Sequence, residues 1–261
     1  MLCFFHILKI RIGTGYYFVE RGRSMKIMLD AGHGYTTAGK RSPDGMREYE
    51  FNRVVANYTK TLLESHQNVT VYFAHSDKQD VPLKVRTDEA NRLMVDCYVS
   101  IHANAFGTNW NDANGIETYI HPIRPKNTTE LAQKVHKNLI ISTGLRDRGL
   151  KEANFHVLRE TTMAAVLVEC GFMTNREDAK HLHSDTFRKT CSEAIVKGVV
   201  DHFKLKKKQS SGTPPSINPP LSPSKNEQYK VQVGAFNDKK NADELVDKLV
   251  KLGYPAYIIF E

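Results

Sequence analysis

The chain has 261 residues, with 37 Lys and Arg against 29 Asp and Glu and a formal charge of +8. Hydrophobic residues make up 40% and charged residues 25%, an ordinary globular balance that argues against wholesale disorder. No run of about 18 apolar residues occurs, which excludes a spanning helix, and the four widely spaced cysteines (Cys3, Cys97, Cys170, Cys191) form no CxxC pair, which argues against a Cys-based metal site or a disulfide framework.

Residues 1–24 begin with an apolar stretch, and Lys9, Arg11, Arg21 and Arg23 follow it. A secretory signal places its basic residues first and ends in a small-residue cleavage site, so this order is inverted. Met25 is read as the natural start and residues 1–24 as an upstream extension; the rival reading is a weak membrane anchor.

From 25 to 203 the pattern alternates strands with helices. Strand-like runs occupy 26–29, 69–73, 97–101, 116–120 and 165–168. Between them, Phe51, Val54, Val55, Tyr58 and Leu62 keep the spacing of one buried helical face, as do Leu131, Val135 and Leu139. A further helix runs through Ala194, Ile195 and Val199 to Phe203. This interleaving predicts an α/β fold with a mostly parallel twisted sheet and helices on both faces, large enough for a full core.

Residues 204–228 differ. They open with Lys204, Lys206, Lys207 and Lys208, and Pro214, Pro215, Pro219, Pro220 and Pro223 follow. Such a Lys/Pro-rich segment favours extended conformers and is read as a linker. Residues 229–261 then read as a small βαβ fragment: a strand at 229–236, a helix at 241–252 with Leu245, Leu249 and Leu252 on one face and Gly253 as its cap, and a strand at 254–260.

Three polar groups stand at predicted strand ends. Asp30, Gly32, His33 and Gly34 follow the first strand, Ser100, His102 and Asn104 end the third, and Glu169 ends the fifth. Ligands in open α/β sheets sit outside the carboxyl ends of strands, so two imidazoles and a carboxylate point toward one rim. The glycines beside His33 are expected to let the backbone turn sharply. Imidazoles plus a carboxylate with one open corner make a catalytic zinc site, and a separate carboxylate then serves as base. Two histidines need one more ligand, and Asp44, Glu48 and Glu50 lie in the loop after His33. Glu48 and Glu50 each reach back, and periodicity alone does not separate them.

Blander readings compete. A single strand-end His is more often a hydrogen-bonded structural residue than a ligand. His121 is read as a supporting group near the site, His156 as structural, and His181 and His183 as solvated. Asp30 orients His33 or merely ends its strand. Arg86 is read as a packing or pairing residue, and Cys170 as buried rather than nucleophilic.

Five segments in order carry a resemblance: Met28–Gly34, Gly45–Asn52 with Glu48, Leu83–Thr87 with Arg86, Ser100–Asn104 with His102, and Val168–Asn175 with Glu169. Together they resemble the zinc-dependent N-acetylmuramoyl-L-alanine amidases of bacterial autolysins and phage endolysins, over about 25–203. The resemblance implies zinc ligands His33, Glu48 and His102 and a catalytic carboxylate at Glu169. It also implies hydrolysis of the amide between N-acetylmuramic acid and L-alanine of the stem peptide. Ala31 and Tyr35 stand where the family commonly has Pro and Gly, and Ala164 where it commonly has Pro; none of these replaces an implied ligand. The segment Tyr229–Phe236 with its helix resembles the sporulation-related (SPOR) repeat, a module that binds peptide-stripped glycan, although only its first half and the next strand are present.

The implied partner is peptidoglycan, and the chain is expected to be a monomer without stable membrane insertion. It is expected to reach the wall by secretion or release through lysis rather than through a signal peptide. Nucleic-acid binding has no support beyond charge, because no platform of aromatic and basic residues appears. That charge sits mainly in 1–24 and 204–227, which leaves 25–203 nearly neutral. A zinc peptidase and an inactive wall-binding module are the competing readings. Product analysis separates the first, and the intact His/Glu/His/Glu set argues against the second.

Overall fold

The computed structural model describes residues 6–12, 15–21, 24–37, 39–123, 125–208 and 239–251. The chain divides into two compact units, Met1–Gln209 and Ser210–Glu261. In the first, strands β1 (His6–Ile12) and β2 (Gly15–Arg21) form an antiparallel hairpin with His6 opposite Arg21. No strand was expected there, yet Ile10, Ile12, Tyr17 and Val19 are the β-branched and aromatic types that favour one.

The main sheet has six strands: β3 (Met25–Ala31), β4 (Val69–Phe73), β5 (Cys97–Asn104), β6 (Ile116–Ile120), β7 (Asp147–Glu152) and β8 (Ala164–Phe172). Their order is β4-β3-β5-β8-β6-β7. The first four run parallel, and β6 and β7 run parallel to each other but antiparallel to β8. The mostly parallel sheet is as expected. Strand β7 was not anticipated, because its sequence, DRGLKE, lacks apolar alternation. It is an edge strand, half-buried along most of its length, so no apolar face is demanded of it.

Side chains alternate across this sheet and build two cores. Ile27, Leu29, Val99, Ile101, Val166 and Val168 face one side, where α1 (Glu48–Glu64), α3 (Lys126–Thr143) and α6 (Asp185–Phe203) supply Val55, Leu63, Leu131, Val135, Ile195 and Val199. Met28, Tyr98, Ala165 and Leu167 face the other, where α2 (Leu83–Leu93) and α4 (His156–Arg159) supply Ala90, Val157 and Leu158. The apolar runs of β3, β5 and β8 thus reflect burial on both faces. Helix α6 lies close against α3, since a Cβ on Gly198 would stand 2.5 Å from Val135 Cα. The short α5 (Arg176–His183) begins where the Asn175 side chain accepts hydrogen bonds from the Glu177 and Asp178 amides.

Helix α1 is rotated from the expected stripe. Phe51, Val55, Ala56, Thr59 and Leu63 are buried, whereas Val54, Tyr58 and Leu62 are only partly so. The helix packs on both the sheet and α6, and its first turn gives Glu48 and Asn52 to a polar cluster. Residues 206–208 pair with 65–67 through the Gln67 and Lys208 amides.

In the second unit, α7 (Lys239–Lys251) carries partly buried Ala242, Leu245, Val246 and Leu249 on one side. The strands expected at 229–236 and 254–260, Gly253 and most of the linker lie outside the described residues. Among the described residues no helix is long and apolar enough to cross a membrane.

Candidate metal centre and active site

Strands β3, β5 and β8 are adjacent and parallel, so their carboxyl ends form one rim. His33 follows β3, and His102 lies near the end of β5. Glu48 opens α1 at the same rim. The Glu48 carboxylate bridges the two imidazoles: Oε2 is 3.1 Å from His33 Nε2 and Oε1 is 2.8 Å from His102 Nδ1. The two rings meet edge to face, with centroids 5.3 Å apart. One donor atom from each of the three residues falls within 4.8 Å of the others, the only such group of three among the described residues.

Glu48 is almost fully buried, and burial alone would raise its pKa. The adjoining imidazoles of His102 and His33 outweigh that and hold it as a carboxylate far below the usual range. The Lys40 amide donates to Oε2 at 3.0 Å and fixes the group further. Glu50, the other candidate, points into solvent. Asp44 binds Ser42 and His183 and lies outside the group.

The turn that delivers His33 differs in detail from expectation. His33 itself takes the left-handed conformation, at φ 67°, and neither flanking glycine does. Gly32 is needed for space: a Cβ there would stand 2.0 Å from His102 Cε1. Gly32→Ala should therefore displace the His102 ring and lower stability by about 1–3 kcal/mol. It should also weaken metal binding at least tenfold, the lower bound for disturbing a ligand's support. Calorimetric zinc titration and thermal unfolding read both effects, and wild-type values in both would refute the packing argument.

Glu169 lies on β8 in direct register with His102 on β5 and with Glu117 on β6. Its Oε2 is shielded from solvent and has no hydrogen-bond partner. Burial first, then the Glu48 carboxylate, pushes its pKa well above the usual range. A buried carboxyl oxygen without a partner, on the face that carries His102, is available for a proton from outside the protein.

Several residues that sequence reasoning passed over shape the site. Glu117 is buried and binds Lys151 Nζ at 2.5 Å, Arg148 Nε at 2.6 Å, Tyr119 Oη at 2.6 Å and Asn104 Nδ2 at 3.1 Å. Burial opposes its ionisation, but the Lys151, Tyr119 and Arg148 hydrogen bonds outweigh that and hold it charged. A carboxylate inside a strand of apolar neighbours was the signal, because such a group requires partners. Ser100 was named with the third strand but given no role: two residues before His102 in a strand, it must share that residue's face.

Asp30 is fully buried and turns toward Arg86, Tyr98 and Ser100 rather than His33. Arg86 is a pairing residue, as read. His121 contacts Asn154 at the surface. His156 meets Thr87, and His181 is exposed. Cys170 is buried, as is Cys191.

Comparison with known proteins places this geometry. The family described as N-acetylmuramoyl-L-alanine amidase matches residues 27–201, which contain every residue of the cluster. The chain belongs to the N-acetylmuramoyl-L-alanine amidase family. A SPOR domain matches residues 225–261. The chain is 35% identical over 237 residues to N-acetylmuramoyl-L-alanine amidase CwlM of Bacillus licheniformis, covering 90% of this chain and 85% of the relative. It is 33% identical over 238 residues to the sporulation-specific N-acetylmuramoyl-L-alanine amidase of Bacillus subtilis (strain 168), covering 91% and 85%. Among solved structures, the N-acetylmuramoyl-L-alanine amidase from Clostridium difficile 630 superposes with a TM-score of 0.67 at 32% identity, over 73% of this chain and 100% of that one. The protein is thus an amidase, a peptidoglycan hydrolase of wall remodelling or lysis.

Proposed function

We propose that the amidase holds Zn²⁺ through His33, Glu48 and His102 and uses Glu169 as its catalytic base. The observation that carries this reading is the convergence on one rim of two imidazole nitrogens and a buried carboxylate, beside a carboxyl oxygen with no partner. The donor set fits the ion: two neutral nitrogens and one carboxylate are a known catalytic zinc set that leaves a corner open. Bound there, zinc would supply Lewis acidity toward the lactyl carbonyl and lower the pKa of water.

The chain's own residues do the rest. Glu169 takes a proton from the attacking water as the water oxygen bonds to the lactyl carbon. It then hands that proton to the alanine nitrogen as the carbon–nitrogen bond breaks. The products are a muramic acid carboxyl group and a free L-alanine amine. Glu117, paired with Lys151 and Arg148, stays a carboxylate opposite Glu169.

The same reading takes 25–203 as the catalytic domain, 204–228 as the linker and 229–261 as a wall-binding unit. The SPOR match at the tail supports contact with glycan. The basic linker would add a salt-sensitive attraction to anionic wall polymers. The protein acts as a monomer and reaches the wall by secretion or by release through lysis.

Digestion of purified peptidoglycan with and without a chelator tests this reading. We expect new L-alanine amino termini, intact glycan strands, loss of activity on chelation and recovery with zinc. New reducing ends, or digestion indifferent to chelator, would overturn it.

A further inference from the structure

The Tyr98, Ser100 and His102 side chains share one face of β5, because residues two apart in a strand point the same way. Asp30 lies on the neighbouring strand with its Cα in register with Ser100. Its carboxylate accepts three side-chain hydrogen bonds: from Arg86 Nη1 at 2.6 Å, Tyr98 Oη at 2.8 Å and Ser100 Oγ at 3.0 Å. Ser100 Oγ in turn lies 3.0 Å from His102 Nε2.

We propose that Asp30 and Ser100, anchored by Arg86, are positioning residues that hold His102 with its proton on Nε2 and so present Nδ1 to the metal. This inference rests on the zinc reading above.

The argument is one of donor and acceptor accounting. An ionised carboxylate only accepts hydrogen bonds. Burial would favour a protonated Asp30, but the Arg86 charge and the bonds around it outweigh that and hold its pKa below the usual range. The single Ser100 proton therefore goes to Asp30. The Ser100 oxygen facing His102 is left with a lone pair, so Nε2 must carry the hydrogen. A neutral imidazole has one N–H, and its other nitrogen, Nδ1, is then the acceptor. That nitrogen faces Glu48 Oε1 at 2.8 Å. Two acceptors face each other across that gap, an arrangement that calls for a cation between them.

Arg86 ties the second histidine to the same anchor. Its Nη2 donates to the His33 carbonyl at 2.6 Å, its Nη1 to the Ala31 carbonyl at 2.9 Å, and its Nε to the Val81 carbonyl at 2.8 Å. One buried guanidinium thus braces the left-handed turn at His33 and the carboxylate that orients His102. A role confined to structure would need the Arg86–Asp30 pair but not the Ser100 hydroxyl between Asp30 and His102.

The test compares the full-length chain with Ser100→Ala, Ser100→Thr and Ser100→Cys. Zinc dissociation constants come from competition with a chromophoric chelator. NMR of the zinc-loaded protein follows the downfield, slowly exchanging imidazole N–H of His102. In Ser100→Ala we expect zinc binding weakened about 10–100-fold, with loss of the protected His102 N–H resonance. Ser100→Thr, which keeps the hydroxyl, should recover most of the affinity, and Ser100→Cys should not. Should Ser100→Ala not fold, the Thr and Cys variants carry the comparison. Equal zinc affinity in hydroxyl-bearing and hydroxyl-free variants, or an unchanged His102 N–H without the hydroxyl, overturns the positioning role. A wild-type chain that takes up no zinc instead overturns the metal reading, and this inference with it.

Discussion

Glu169→Gln is expected to lower hydrolysis of purified peptidoglycan by about 10²–10⁴-fold, the range for loss of a general base, while the protein stays folded and keeps its metal. The amide matches the carboxyl group in size, so the packing around β8 is preserved. Its nitrogen cannot take a proton, so water is no longer activated and the leaving amine no longer receives one. The Oε2 atom is buried without a partner, so the exchange breaks no hydrogen bond at that atom. An amide at 169 also replaces a carboxyl group whose ionisation burial and Glu48 oppose, so stability should hold or rise slightly. The decisive comparison is turnover against bound zinc measured on the same sample. A Gln variant that digests walls at the wild-type rate would remove Glu169 from the mechanism. One that loses zinc in proportion to activity would make it a ligand instead of a base.

His102→Ala is expected to strip the metal. It removes the Nδ1 donor, and it also leaves Glu48 Oε1 and Ser100 Oγ without the ring that lies between them. Zinc affinity should fall by more than the 10–100-fold that loss of an outer-shell partner costs, because a ligand is lost outright. Activity should vanish with the metal and return only in part at high zinc. Metal analysis after dialysis reads this directly, and full zinc occupancy in the variant would exclude His102 as a ligand. The contrast between the two variants is informative: Glu169→Gln is a loaded, inactive enzyme, and His102→Ala an empty one.

The parts of the fold legible in the sequence were those governed by local pattern. The apolar runs of β3, β5 and β8 announced strands covered on both faces, and Leu131, Val135 and Leu139 marked the buried stripe of α3. Polar edge strands escaped, as β7 did, because a strand held by one neighbour needs no apolar alternation. The reversal of β6 relative to β8 was not legible either, since pairing direction depends on how the chain travels between strands. That reversal is what sets Glu117 opposite Glu169.

At the site, the sequence by itself determined which residue types stand at strand ends: His33, His102 and Glu169, with an acidic loop between. Resemblance to a family then singled out Glu48 from Glu50, a choice spacing could not make because both lie within one helical turn. Only the tertiary structure decided how they meet. It buried Glu48 between two imidazoles and turned Glu50 outward. It assigned Gly32 to making room for a ring from another strand, and it linked Asp30 to His102 through Ser100. The physical reason is one of range. Periodicity reports which face a side chain occupies within its own element. Hydrogen bonds between residues 56 and 70 positions apart, such as Arg86 to Asp30 and Ser100 to Asp30, exist only once the strands lie side by side.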